Sequence, residues 1–153
     1  TRQRQNLGAA TARGFELELT LRAGAHLSGR ISYTFVDARI TDAALAPSLL
    51  HKHLVQAPVH RAGVLMSFDD PALFTATVQI RALSSQYEDD LNTLRMSGYA
   101  VVDVSFARRL IAQLEVFAAA ENLFDTQYLV GRAGVDTIGA PLLLRAGLRL
   151  RDG

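Results

Sequence analysis

Gly14-Phe15-Glu16-Leu17-Glu18-Leu19-Thr20-Leu21-Arg22 alternates without a break, with Phe15, Leu17, Leu19 and Leu21 on one side and Glu16, Glu18, Thr20 and Arg22 on the other. Successive side chains of a strand point to opposite faces, so this stretch predicts a strand lying between two different surroundings. A strand buried on both faces would read as a continuous apolar run instead. The rhythm recurs along the chain. Ile31, Tyr33 and Phe35 oppose Arg30, Ser32 and Thr34, and Ala62, Val64, Met66 and Phe68 oppose Arg61, Gly63 and Ser67, with Leu65 an exception on the polar side. Phe74, Ala76, Val78 and Ile80 oppose Thr75, Thr77, Gln79 and Arg81, while Ala100, Val102, Val104 and Phe106 oppose Asp103, Ser105 and the less polar Val101 and Ala107. A sixth stretch sets Leu114, Val116, Ala118 and Ala120 against Gln113, Glu115 and Glu121, with Phe117 out of phase. The last sets Leu142, Leu144, Ala146, Leu148 and Leu150 against Arg145, Gly147, Arg149 and Arg151.

The connections narrow the architecture. Ala23-Gly24-Ala25-His26, Asp69-Asp70-Pro71 and Arg108-Arg109-Leu110-Ile111 are turn-sized, whereas Thr41 to Ala57, Ser84 to Gly98 and Asn122 to Ala140 are long, polar and mostly without periodicity. Short links therefore fall on one edge of the sheet and long ones on the other. A transmembrane β-barrel has this asymmetry, and crosses the membrane with roughly ten residues per tilted strand. Phe68, Phe74 and Phe106 lie beside short turns, and Phe35, Tyr87 and Tyr99 lie near long loops, as two interfacial belts require. The alternative is that these rings plug the ends of a soluble core.

Composition excludes several other classes. The chain has 153 residues, is 49% hydrophobic and carries a formal net charge of +1, so it has neither a basic nucleic-acid footprint nor an acidic tail. Cysteine is absent, which removes disulfides, thiolate metal sites and a cysteine nucleophile. No apolar run approaches the roughly 18 residues a membrane-spanning helix needs, so any crossing is by strands. Antiparallel closure in lipid calls for an even number of strands, because an open edge leaves backbone groups unpaired. Seven cannot close, and Arg2 to Ala10 shows no lipid-facing alternation, reading as a loop or strand end. The expectation is a fragment of a larger barrel.

Arg13-Gly14-Phe15-Glu16-Leu17-Glu18-Leu19, Ser32-Tyr33-Thr34-Phe35-Val36-Asp37-Ala38, Pro58-Val59-His60-Arg61, Gly98-Tyr99-Ala100-Val101-Val102-Asp103, Asn122-Leu123-Phe124-Asp125 with Tyr128, and Gly131-Arg132 follow one another in an order and spacing that resembles the C-terminal part of TonB-dependent outer-membrane receptors. The resemblance covers nearly the whole chain. It implies an all-β, antiparallel up-and-down transmembrane β-barrel segment, residues 1–153 supplying about seven strands of a 22-stranded barrel with a plugged lumen. Such receptors import scarce nutrients of the iron-siderophore, haem, cobalamin or glycan class, using energy relayed by TonB. The implied partners are outer-membrane lipid, the N-terminal plug domain of the full-length chain, TonB acting through that plug, the barrel-assembly machinery and a small-molecule ligand. Neither plug nor TonB box is recognised in these residues, and no cofactor, enzymatic activity or nucleic-acid partner is expected.

Roles follow from the phase. Glu16, Glu18, Arg61, Arg81, Asp103, Arg145 and Arg149 fall on polar faces, where mixed-sign charges facing a lumen can pair across strands. In the loops, Glu88-Asp89-Asp90 could bind a cation or basic ligand, or be merely solvated. His51 and His53 flank Lys52, a spacing that on an extended chain puts both imidazoles on one side and could suit a metal or haem iron, although no third ligand is visible nearby. Asn122 and Asp125 are of the types that bond local backbone and start a loop. Two departures from the family stand out: Asp152 occupies the frame where a terminal aromatic residue usually serves assembly, and Leu142 follows Pro141 where Arg is frequent. A passive porin or small outer-membrane barrel, and a soluble β-sandwich binding module, share the alternation and remain as alternatives.

Overall fold

The computed structural model describes residues 8–150. Most of the Arg2 to Ala10 segment, Arg151 and Asp152 lie outside the described residues. The elements are β1 (Ala9–Ala23), β2 (Leu27–Asp42), a 3-10 turn at Pro47–Leu49, β3 (His60–Asp70), β4 (Phe74–Leu83), β5 (Gln86–Tyr87), β6 (Arg95–Met96), β7 (Tyr99–Ile111), β8 (Leu114–Glu121), β9 (Leu129–Gly131), β10 (Thr137–Ile138) and β11 (Leu143–Leu150). Seven of these form one antiparallel sheet in the order β1-β2-β3-β4-β7-β8-β11, so each long strand pairs with its neighbours in sequence. The short pairs β5-β6 and β9-β10 are separate hairpins inside two of the long connections.

Register decides whether the seven alternations add up to two faces. Leu17 pairs with Tyr33, Ile31 with Val64, Val64 with Ile80, Ile80 with Val102, Val104 with Ala120 and Ala120 with Leu144, so the apolar sets share one face across the sheet. The polar sets share the other: Glu18 pairs with Ser32, Gly63 with Arg81, Gln79 with Asp103 and Glu115 with Arg149. A one-residue slip anywhere would have mixed them. Neither face is covered by a second layer among the described residues. The accessible surface is 10849 Å² for 16.6 kDa, against roughly 7,600 Å² for a compact folded monomer of that mass. Large apolar side chains remain open, Phe15 at 58% and Leu144 at 68%. Among the described residues no second sheet packs on the first, as a sandwich would require.

Several boundaries differ from the sequence reading. The third short link is not Arg108 to Ile111 but a turn at Ala112-Gln113, because β7 runs on to Ile111 and Arg109 pairs with Glu115 across from it. Gln113 accordingly belongs to that turn and not to the sixth strand. β1 begins at Ala9, and the hydrogen-bonded ladder with β2 carries the strand well past the last apolar alternation. The long connections also hold more structure than their lack of periodicity suggests, as the two small hairpins show. Phe117, out of phase in the sequence, lies on the polar face opposite Gly147, with its ring filling the space a side chain at 147 would need. The Arg149 guanidinium sits 5.5 Å from the same ring centre. At the short-turn edge Gly24 takes a left-handed φ of 64°, a conformation that suits a residue without Cβ.

Candidate functional site

All three long connections leave the same edge of the sheet, and side chains bind them to one another there. In the first, the left-handed φ of His51 (65°) breaks the extended run that would place His51 and His53 on one side. His51 ends exposed in a turn. His53 instead bridges to Arg39 of β2, stacks on Tyr87 with ring centres 6.1 Å apart, and lies 3.6 Å from Asp37. Its N–H donates to Asn92 Oδ1 at 2.7 Å, and Asn92 Nδ2 returns a bond to the His53 carbonyl at 3.0 Å. The first and second loops are thus clamped reciprocally. Gln56 adds two bonds to the same seam, from its N–H to the Tyr87 carbonyl and from Nε2 to Glu88.

The acidic run divides by role. Asp89 accepts the Leu94 N–H at 2.6 Å and both the N–H and hydroxyl of Thr93. Desolvation pushes its pKa up, but those hydrogen bonds outweigh it and hold the carboxyl below its ordinary 3.8. Asp89 is therefore a turn-forming group. Glu88 holds Gln56, and Asp90 is exposed. No group of three or more His, Cys, Asp or Glu residues placed to hold a metal ion occurs among the described residues.

The third loop is anchored through Asn122. This residue is 3% exposed, has a left-handed φ of 48°, and uses its whole amide: Nδ2 donates to the Thr126 and Ala140 carbonyls while Oδ1 accepts the Thr126 N–H. Its own N–H donates to Asp103 Oδ1. Asp125 accepts the Leu142 N–H from the far end of the loop. Asn122 and Asp125 therefore staple both ends of the connection. Tyr128 stacks on Tyr99 at 4.1 Å, and Arg132 reaches the Arg95 carbonyl of the second loop at 3.0 Å while pairing with Asp136. Of these cross-loop residues, Asn92, Tyr128 and Asp37 carried no functional reading in the sequence. An Asn two residues after Asp90 is a turn signal, but nothing local tells which loop it meets.

Below this crown, the predicted polar-face charges pair across strands. Arg81 donates to Asp103 at 3.0 Å and Arg149 to Glu115 at 2.6 Å, Arg145 pairs with Glu121, and Glu18 lies 3.6 Å from Arg30. Glu16 stands opposite Thr34. Arg61 lines a shallow groove of about 420 Å³ with Arg30, Ser32, Thr34, Gly63 and Arg81. Aromatic residues gather at both ends of the apolar face. Phe68, Phe74 and Phe106 form a chain with ring centres 4.8 and 5.4 Å apart beside the short turns, while Phe15, Tyr33, Phe35 and His60 cluster near the long loops.

The comparisons with known proteins agree with this architecture. The chain is similar in fold to the ferric yersiniabactin uptake receptor FyuA of Yersinia pestis, with a TM-score of 0.76 and 21% identity over 95% of this chain and 24% of that one. The siderophore receptor PiuA of Acinetobacter baumannii superposes with a TM-score of 0.81 at 16% identity, over 93% of this chain and 22% of that one. BauA, the ferric preacinetobactin receptor of the same species, gives 0.75 at 21% identity, covering 92% and 22%. The chain thus spans less than a quarter of the length of each of these receptors. A search of curated protein sequences finds no significant match. The family model for the TonB dependent receptor-like β-barrel matches residues 1–123. With its seven-stranded meander, one apolar face and loops gathered at one edge, the chain belongs to the TonB-dependent receptor-like β-barrel family of the bacterial outer membrane.

Proposed function

We propose that residues 1–153 form the C-terminal wall and loops of an outer-membrane receptor for TonB-dependent uptake of a scarce nutrient, with a ferric siderophore the favoured class. The observation that supports this most is the single apolar face, unbroken across seven strands and uncovered, whose long loops are all interlocked at one edge. An uncovered apolar face of that extent needs an apolar solvent, and lipid is the one a β-barrel meets. On this reading the polar face, with Glu16, Glu18, Arg61, Arg81, Asp103, Arg145 and Arg149, lines the barrel interior against a plug domain. The interlocked loops stand on the outer side, where a large ligand is first met.

Within the predicted loop set, His51 and Asp90 are the exposed members left for a ligand, because His53, Glu88 and Asp89 hold loop structure. The similar structures named for ferric siderophore receptors favour that class over haem, cobalamin or glycans. Assembly into the membrane by the barrel-assembly machinery and coupling to TonB through the plug belong to the same proposal. The test is uptake by iron-starved cells carrying the full-length receptor, offered a panel of radiolabelled ferric siderophores with TonB present or deleted. Accumulation of one siderophore type that needs both receptor and TonB is expected. TonB-independent entry of small unrelated solutes would instead make the protein a porin.

A further inference from the structure

The outward phase of β1 and β2 does not stay apolar. Phe15 pairs with Phe35 on the apolar face, and the ladder continues in unbroken register to Arg13 opposite Asp37 and Thr11 opposite Arg39. Side chains two residues apart share a face. Arg13, Asp37, Arg39, Thr11 and Thr41 therefore stand on the same side of the sheet as Leu17, Leu19 and Leu21, directly beyond the Phe15, Tyr33 and Phe35 cluster. They line a depression of about 250 Å³. At 15 and 16 residues, β1 and β2 are longer than the roughly 9–11 that cross a bilayer, so their ends project past the hydrocarbon on the long-loop side.

We infer that Arg13 and Arg39 form a binding site for the phosphate of an anionic lipid in the outer leaflet. This rests on the reading that the apolar face meets lipid. Arg13 and Arg39 are diagonal neighbours on an antiparallel pair, a separation that long side chains readily bridge. Arg39 is tied to Asp37 through Nε alone, at 2.8 and 3.1 Å from the two carboxylate oxygens, which leaves its terminal amino groups for a second acceptor. Arg13 is exposed and makes no ion pair among the described residues. Two cations against one carboxylate leave the cluster positive. Paired guanidinium groups match the oxygens of a phosphate, and long basic side chains at a bilayer edge place their heads at headgroup depth. The aromatic cluster below fixes that depth, because Tyr33 and His60, joined by a 2.8 Å hydrogen bond, offer a polar edge above an apolar ring. A lipid is the occupant favoured over a free anion because the apolar band that would hold its chains is continuous with the cluster.

The test uses the full-length receptor in detergent, with native mass spectrometry of bound phosphatidylglycerol against phosphatidylcholine of the same chain lengths. Wild type is expected to prefer phosphatidylglycerol about tenfold. The preference disappears in the Arg13→Gln/Arg39→Gln double variant and in about 0.5 M NaCl, survives in Arg13→Lys/Arg39→Lys, and is untouched by Arg61→Gln on the opposite face. Undiminished preference in the Gln double variant overturns the inference. Displacement of phosphatidylglycerol by millimolar inorganic phosphate overturns it too, making the cluster a free-anion site. A nitroxide at Leu19→Cys that collides with dissolved oxygen in lipid more than one at Glu18→Cys shows that the face assignment stands. With that contrast present, a negative lipid result sinks only the headgroup site; with it absent, the underlying reading falls as well.

Discussion

The wall of this sheet and the crown of loops above it are held together by different physics. In the wall, backbone ladders carry the pairing and neighbouring side chains only need the right polarity, as in Val64-Ile80-Val102 on one face. Its ion pairs, such as Arg81 with Asp103, leave the arginine side chain 52% exposed. The crown has little regular ladder, and its order comes from Asn and Asp side chains bonding backbone, Asn92 across to the first loop and Asn122 and Asp125 to the far end of their own connection. Every non-glycine residue with left-handed φ among the described residues, His51, Gln56, Asn92, Asn122 and Asp125, lies in a long connection. The wall should therefore be sensitive to the polarity of its apolar face and tolerant of losing one polar-face charge, whereas the crown should depend on single polar side chains.

Substitution of Val78 by Arg tests the wall most severely. A basic residue on the lipid face near the midplane costs about 2–4 kcal/mol, so heat-modifiable, folded receptor in outer-membrane fractions should fall sharply. Gln79→Arg, on the other face, should assemble normally; equal tolerance at both positions would break the assignment of faces. In the crown, Asn122→Ala removes one acceptor and two donated bonds from a buried site and puts Ala at a φ of 48°. A loss of about 1–3 kcal/mol is expected, read as a lower thermal midpoint. Asn122→Gly relieves only the backbone part and should recover only a fraction.

Smaller effects sharpen the contrast. Arg81→Met deletes a wall ion pair whose arginine is half exposed, and should change stability by less than about 1 kcal/mol in denaturant titration. Asp89 predicts a local pH response. Its carboxyl is held below 3.8 in the folded loop, so its contribution is complete above the unfolded value and is lost as pH falls through the lowered one. Exchange protection of the Thr93 and Leu94 amides, corrected for intrinsic rate, should hold at pH 5 to 7 and drop below about pH 4. The Asp89→Asn variant should lack that drop while the wall amides stay unchanged.

The seven strands were legible because a sheet between two solvents imposes a period of two that survives exceptions such as Leu65 and Phe117. The Phe117 exception is explained by register alone, which sets it against Gly147. The shifted turn at Ala112-Gln113 was less visible, since Arg108 to Ile111 has a turn-like charge pattern but is held extended by pairing with β8. Contacts between loops were the least legible. His53 and Asp89 have the residue types of a binding loop, and the structure uses both to hold the loops in place.

By itself the sequence determined the strand periodicity, the two faces and the sorting of short and long connections, because each depends on residues adjacent or nearly adjacent in the chain. Only the tertiary structure decided that His53 meets Asn92, that Tyr99 meets Tyr128, and that Arg13 and Arg39 come to be diagonal neighbours beyond the apolar band. Those outcomes depend on strand register and on which loops lie side by side. Neither is encoded in any local stretch; both emerge only when distant strands pair.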